Sequence, residues 1–299
     1  MMNKQKKGLL MILAAAICWG IFPTFSRILY AYGMPAMHAV ALRAGIAGGM
    51  YLLIGLARGS FRGLRPKDLP LLCGYGIAAI LSTYLFYALA VEMLSSAMAA
   101  MLLYTAPAFV IVFNRIFYKD AITPQKLAAL IITFAGSALV VRIYDPAALT
   151  LNFKGILIGL LSGIGYSMLT VIGRKVLQKH SPQVGTFVPT IFVGALMMLI
   201  VPPFEIRLDG AVMWLCALGL GIVGSVLPYL LYLGGLSCGV DGGNAVILAN
   251  AEPVVATLCG SLFFHDRLDG LQVLGIALVM VGAVLPNLRT KADLVASSK

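Results

Sequence analysis

The chain has 299 residues, of which 61% are apolar and 11% charged, with a net charge of +11. A soluble domain carries about 25% charged residues, so this mean hydropathy of +0.97 excludes a soluble enzyme, a nucleic-acid-binding domain and a disordered chain. The basic residues sit in short gaps between apolar runs, where they report membrane orientation rather than a polyanionic partner.

A helix needs about 20 apolar residues to cross a bilayer core, and runs of that order recur along the whole chain. They are placed at 8–30, 36–57, 69–91, 94–117, 124–142, 153–174, 183–203, 211–235, 241–264 and 270–287. The runs are too long and too uniformly apolar for barrel strands, which alternate over about ten residues. The first run follows Lys4, Lys6 and Lys7, and Ala14–Ala16 imitates a signal-peptide cleavage site. Its length, and the repeat described next, make it a span. The cysteines Cys18, Cys73, Cys216, Cys238 and Cys259 lie in or at the ends of apolar stretches without CxxC spacing, and read as small buried hydrophobes.

Self-comparison reveals a duplication. A shift of 146 residues brings Pro107 onto Pro253, Phe117 onto Phe263, Asp120 onto Asp266 and Gly136 onto Gly282. A shift of 147 near the start brings Trp19 onto Tyr166 and Arg27 onto Arg174. The predicted fold is therefore an all-α integral membrane protein of ten transmembrane helices, in two five-helix units at 8–142 and 153–287. Five spans are an odd number, so the second unit enters the membrane from the opposite side and the repeat is inverted. That architecture belongs chiefly to transporters with a substrate site near the midplane.

Orientation follows from the Lys and Arg distribution. With a cytoplasmic N-terminus, the inside segments hold sixteen basic residues, Arg289, Lys291 and Lys299 among them. The outside segments hold five, Arg27, Arg142, Lys154, Arg207 and Arg267, while Arg43 lies within the second span. Both termini are expected in the cytoplasm.

Trp19-Gly20 with Pro23, the Tyr104-Thr105-Ala106-Pro107 stretch closing at Asp120, and Glu252-Pro253 closing at Asp266 resemble the paired domains of the EamA group in the drug/metabolite transporter superfamily. The resemblance covers nearly the whole chain and departs where the family usually carries Glu and this chain has Asp120 and Asp266. It implies a ten-helix carrier of the bacterial inner membrane, commonly an exporter of amino acids, related metabolites or drugs.

Ionisable groups inside a bilayer are expensive, about 2.5 to 3.5 kcal/mol on insertion scales, and are functional candidates by default. Glu252 is the one carboxylate near mid-membrane, directly before Pro253. It is suited to exchanging protons or gripping a substrate ammonium; the competing reading is a structural hydrogen bond at the helix break. Its repeat mate is Ala106, so any proton coupling is one-sided. Arg43 offers a fork for a carboxylate, although its place about seven residues from the outer end favours snorkelling or bonding to loop carbonyls. Arg27 and Arg174 read as interfacial anchors.

Prolines interrupt five spans, at Pro23, Pro107, Pro189, Pro228 and Pro253. Each frees a carbonyl that a neighbour or a cavity must satisfy. Around the matched breaks of spans four and nine lie Tyr84, Tyr87, Tyr104, Thr105, Tyr229, Tyr232 and Asn250, with Trp19 and Tyr166 on the paired first helices. Aromatic rings with one polar atom suit a mixed solute, and Tyr also belts membrane interfaces. Glu252, Asn250, Tyr104, Trp19, Tyr166, Tyr84, Tyr229 and Arg43 are the candidate substrate contacts. Small residues at four-residue spacing, Ala41, Gly45 and Gly49, then Gly155, Gly159 and Gly163, are expected at packing seams.

Two enzyme-like patterns are coincidental. Gly219–Gly224 matches GxGxxG without the strand that a dinucleotide fold requires, and Gly235–Gly239 matches GxSxG without a partnered His. His38, His180 and His265 form no dyad or metal set, and no phosphate-binding GxxxxGK[ST] loop appears. The expected partners are a small-molecule substrate, the bilayer and protons as coupling ion, with no nucleic acid, cofactor or metal. The reading is a secondary carrier exporting small amphiphilic metabolites by alternating access. An uncoupled facilitative carrier or exchanger, and more remotely a membrane enzyme acting on lipids, remain the alternatives.

Overall fold

The computed structural model describes residues 4–94, 96–146 and 152–285. Among these, the chain forms ten helical segments in series. They are α1 (Lys4–Ala31), α2 (Ala36–Ala57), α3 (Pro66–Met93), α4 in two pieces, α4a (Ser96–Leu103) and α4b (Ala106–Tyr118), and α5 (Pro124–Val140). After these come α6 (Phe153–Leu177), α7 (Pro182–Ile200), α8 (Ala211–Ser237), α9 in two pieces, α9a (Gly242–Ala249) and α9b (Glu252–Phe264), and α10 (Gly270–Val284). Eight are long and apolar enough to cross a membrane, whereas α5 and α10 are shorter apolar helices. The basic residues Arg289, Lys291 and Lys299 lie outside the described residues.

The helix ends follow from ordinary chemistry. The side chains of Thr123, Asn152, Ser181 and Asp241 accept from the free backbone N–H groups at the starts of α5, α6, α7 and α9a. Pro107 and Pro253 occupy the first turns of α4b and α9b, where the missing N–H costs nothing. Pro23 and Pro189 stand inside α1 and α7, and Pro228 stands inside α8 just after its π turn.

The duplication extends to local irregularities. A π-helical turn interrupts α3 at Gly76–Leu81 and α8 at Ile222–Val226, again 146 residues apart. Both α4b and α9b end on a residue in the left-handed region, Lys119 at φ 58° and His265 at φ 57°. Those turns send the following residue, Asp120 or Asp266, back toward the preceding helix, where its N–H reaches the carbonyl of Asn114 or Gly260 at 3.3 Å.

Packing exchanges helices between the units. α1 packs against α8 and α9b, and α6 packs against α3 and α4. The bundle thus divides into one group of α1, α8 and α9 and another of α3, α4 and α6. The pairs α2–α7 and α5–α10 join the units. Close approach needs glycine here: a Cβ on Gly194 would lie 2.6 Å from the Ala44 carbonyl oxygen, and one on Gly275 would lie 2.7 Å from that of Gly136. On α2 the seam runs through Gly48 rather than Gly49. The latter has open space beside it, while Gly48 faces Thr190, Ile191 and Gly194. Gly155, Gly159 and Gly163 do face α4 and its approach, against Leu94 and Leu102, with the Thr105 hydroxyl also beside Gly163.

Arg27 and Arg174 are not free anchors. Arg27 Nη1 lies 2.6 Å from Asp266 Oδ2, with its guanidinium 4.0 Å from the Phe264 ring centroid. Arg174 Nη1 lies 2.6 Å from Asp120 Oδ2, and 4.3 Å separates its guanidinium from the Tyr118 ring. Each pair fastens the first helix of one unit to the end of the fourth helix of the other.

Candidate substrate cavity

A cavity of about 390 Å³ lies between the two exchanged groups, lined by α1, α2, α3, α4a, α6, α8 and α9b. Trp19 stands at its floor. Its indole meets Tyr166 and Tyr229 edge-on, at 5.7 and 5.9 Å between ring centroids, and Tyr232 at a tilt, at 5.5 Å. Such edge contacts match the positive rim of one ring to the negative face of another.

Arg43 and Glu252 both line the cavity. Arg43 is held on three sides: Nε donates to the Ser225 hydroxyl at 2.9 Å, Nη2 donates to the Gly224 carbonyl, and the guanidinium stacks 4.2 Å from Phe22 and 4.4 Å from Tyr84. The acceptors belong to the π turn of α8, where the widened hydrogen-bond register leaves carbonyl capacity unspent. In α3 the matching carbonyl, Ala78 O, takes a hydrogen bond from the Ser82 hydroxyl instead. The sequence suggested snorkelling or loop carbonyls for Arg43; the carbonyl it meets instead belongs to a helix interior, and the side chain also stands in the cavity wall.

Glu252 is buried at the first turn of α9b, where the helix dipole complements a carboxylate. It accepts a hydrogen bond from the Tyr166 hydroxyl at 3.4 Å. Arg43 and Glu252 are departures from the repeat, since their mates at an offset of 146 are Pro189 and Ala106. The cavity therefore carries one fixed cation and one carboxyl that the duplication itself does not supply.

Of the remaining candidates, Tyr84, Tyr104, Tyr166, Tyr229 and Trp19 line the cavity. Tyr84 shares a hydrogen bond with Ser225 at 2.7 Å and accepts one from Tyr229 at 3.1 Å, which fixes both rings. Asn250 does not line the cavity; it is buried at the break between α9a and α9b, and its amide nitrogen has no hydrogen-bond partner among the described residues. Sequence reasoning did not single out Phe22 or Tyr30, which the cavity includes. Their signal was an aromatic residue three or four positions from Trp19 or Ser26 on one face of α1.

The cavity reaches Ser26, Tyr30, Ala36, Val40 and Val91, near the end of α1, the start of α2 and the end of α3. It therefore opens on the face opposite the N-terminal one. Toward the N-terminal face the path is filled. Leu72, Tyr75, Tyr232 and Val176 are buried, and the Thr170 and Tyr232 hydroxyls lie 2.6 Å apart. There α9a packs on α4b, while the equivalent halves on the other face, α4a and α9b, make no comparable contact among the described residues. An ion pair between Lys126 and Asp241, 2.9 Å apart, also ties α5 to the start of α9a on the packed face.

Duplicated, inverted helical units around a one-sided cavity define the class, a multi-pass membrane transporter rather than an enzyme. The EamA-like transporter family model matches residues 6–142 and again 153–288, and the chain belongs to that family. An uncharacterised transporter of Archaeoglobus fulgidus is 32% identical over 199 residues, covering 67% of this chain and 70% of that protein. A second from the same organism is 28% identical, covering 93% and 97%. The inner membrane transporter YicL of Salmonella typhimurium, also uncharacterised, is 23% identical, covering 97% and 98%. One solved crystal structure shares the fold with a TM-score of 0.81 at 21% identity, covering 98% of both chains.

Proposed function

We propose that the protein is a secondary carrier that exports a small amphiphilic metabolite, such as an amino acid, from the cytoplasm across a bacterial inner membrane by alternating access. The observation that carries this reading is the unequal packing of matched helix halves. The faces are related by the repeat, so the arrangement closed on one face can form on the other, and exchanging the two moves the cavity from one side to the other. The Lys and Arg bias supports a cytoplasmic position for the packed N-terminal face and both termini, and in that reading this is the outward-open form.

In this reading Arg43 meets the negative end of the solute and Glu252 its ammonium, with the Trp19, Tyr104, Tyr166 and Tyr229 rings around the apolar part. Glu252 also exchanges the coupling proton, because one carboxyl cannot hold both a proton and a cationic substrate group. Export then proceeds as an antiport: a proton entering from outside displaces the solute, and its release inside readies the site for another.

Purified protein in liposomes tests this. An imposed proton gradient drives accumulation of a transported amino acid in the wild type, and Glu252→Gln abolishes gradient-driven accumulation while retaining the fold. Equal accumulation by both proteins removes Glu252 from coupling. Equilibration without accumulation in the wild type supports an uncoupled carrier or exchanger instead.

A further inference from the structure

A second cavity of about 500 Å³ lies on the other side of α1, on the face toward which the central cavity opens. Pro23 and Arg27 belong to both walls. Three guanidinium groups, Arg27, Arg142 and Arg267, line this second cavity together with a single carboxylate, Asp266. Arg27 is paired with Asp266, and Arg142 Nη2 lies 3.2 Å from Asp269 Oδ2. Arg267 has no carboxylate partner among the described residues.

This concentration of charge runs against two expectations. The face holds five basic residues by sequence, and three of them converge here, although basic residues on the sparsely charged side of a membrane protein oppose its orientation. The repeat does not account for them either, since the mates of Arg267 and Arg142 are Ala121 and Leu288. Two of the three arginines thus have no basic repeat mate, Arg142 in the first unit and Arg267 in the second. Thr24 and Thr257 add hydroxyl donors to the wall, and Ala256 and Leu268 add apolar surface. Exposed Leu262, Phe263 and Leu271 flank it on α9b and α10, in position to meet lipid chains.

We propose that this cavity is an anion site for a phosphate group, occupied by the phosphodiester of an anionic lipid headgroup. The forked donors of Arg142 and Arg267 match phosphate oxygens, and an anion there balances the excess positive charge. Because Arg27 and Pro23 form the partition with the central cavity, headgroup binding also braces the α1 wall of that cavity. The proposal is independent of the transport direction and of any role for Glu252.

Native mass spectrometry of the purified full chain, with added phosphatidylglycerol or phosphatidylcholine, tests the site. The comparison is between wild type, Arg142→Gln/Arg267→Gln and Arg207→Gln, the last removing a basic residue from the same face but not from this cavity. Preferential retention of phosphatidylglycerol by wild type and Arg207→Gln, with a loss of about tenfold or more in the double variant, is the expected result. Inorganic phosphate is titrated in parallel by thermal shift on delipidated protein. A saturable shift that the double variant loses assigns the site to a free anion and retains the phosphate chemistry. If neither probe distinguishes the double variant from Arg207→Gln, the proposal is overturned. Arg267→Gln alone, which breaks no ion pair among the described residues, replaces the double variant if that protein does not fold; Arg267→Lys should restore part of the binding.

Discussion

Arg27 of the first unit is ion-paired with Asp266 of the second, Nη1 to Oδ2 at 2.6 Å, and the repeat reproduces the relationship in reverse as Arg174 with Asp120 at the same distance. Each pair joins helices within one exchanged group, α1 to the end of α9 or α6 to the end of α4. The two pairs therefore hold each exchanged group together instead of tying one group to the other.

The first prediction concerns their strength. Side chains in the Arg27–Asp266 pair are 52% and 46% exposed, against 40% and 21% for Arg174–Asp120. Solvent screening limits an exposed pair to about 0.2–1 kcal/mol. Asp120→Asn should lower the melting temperature in detergent more than Asp266→Asn, and the gap should shrink in high salt. The hydrogen bond from Arg27 holds the Asp266 carboxyl below the usual carboxylate range, against opposing desolvation. A lowered value stabilises the fold above the ordinary carboxylate pKa of about 3.9, and this contribution is lost as pH falls through the lowered value. The melting difference between wild type and Asp266→Asn should be constant at neutral pH and vanish in acid.

Helix seams give a second prediction. A Cβ on Gly275 would fall 2.7 Å from a backbone oxygen of α5, whereas one on Gly49 meets nothing within 4 Å. Gly275→Ala should destabilise the protein by about 1–3 kcal/mol through overpacking, and Gly49→Ala should leave the melting temperature unchanged or raise it slightly, since Ala favours helix. Thermal unfolding of the two variants in one detergent separates them.

Lys126 and Asp241 give a third. Their ion pair lies on the packed face, and the repeat mates, Gln272 and Ser95, carry no charge. The pair therefore ties the helices on one face only. Asp241 also caps α9a by accepting from the Asn244 N–H, a role Asn can keep. Asp241→Asn should shift the equilibrium toward opening of the N-terminal face by up to about fivefold, the factor for 1 kcal/mol. Faster proteolysis or labelling at that face, without a matching fall in melting temperature, is the expected signature.

Arg43 gives a fourth. Lysine preserves its charge but not the planar fork that spans Gly224 and Ser225 while stacking on Phe22 and Tyr84. Arg43→Lys should weaken transport of a carboxylate-bearing solute by about tenfold, one charge-assisted hydrogen bond, and spare a matched amine without the carboxylate. Equal losses for both solutes assign Arg43 to scaffold alone.

The helices and their duplication were legible because apolar length and matched residues are properties of the sequence itself. The ends of α2 and the breaks near Thr105 and Ala251 followed from proline and hydropathy. The π turns were not legible, since one extra residue in a helical turn leaves no composition signal, and with them went the bonding of Arg43. Gly49 was misplaced at the seam because four-residue spacing fixes a helical stripe but not which of two adjacent stripes meets the neighbour. Arg27 and Arg174 recur at nearly the same offset as Asp120 and Asp266, and that shared recurrence was the available sign of their pairing. The aromatic wall was visible as polar rings within spans, whereas Asn250 has the right depth but turns into the helix break.

Cysteine accessibility from both sides tests alternating access most directly. In a background without the five native cysteines, one residue is replaced at the open mouth, Ser26→Cys, and one beneath the packed face, Thr170→Cys, in sealed vesicles of known orientation. The account predicts that position 26 reacts with an impermeant maleimide only from the face opposite the N-terminus, and that Asp241→Asn raises reactivity at 170 from the N-terminal face while lowering it at 26. Simultaneous high reactivity at both positions, or reactivity at 170 that changes without an opposite change at 26, would contradict it.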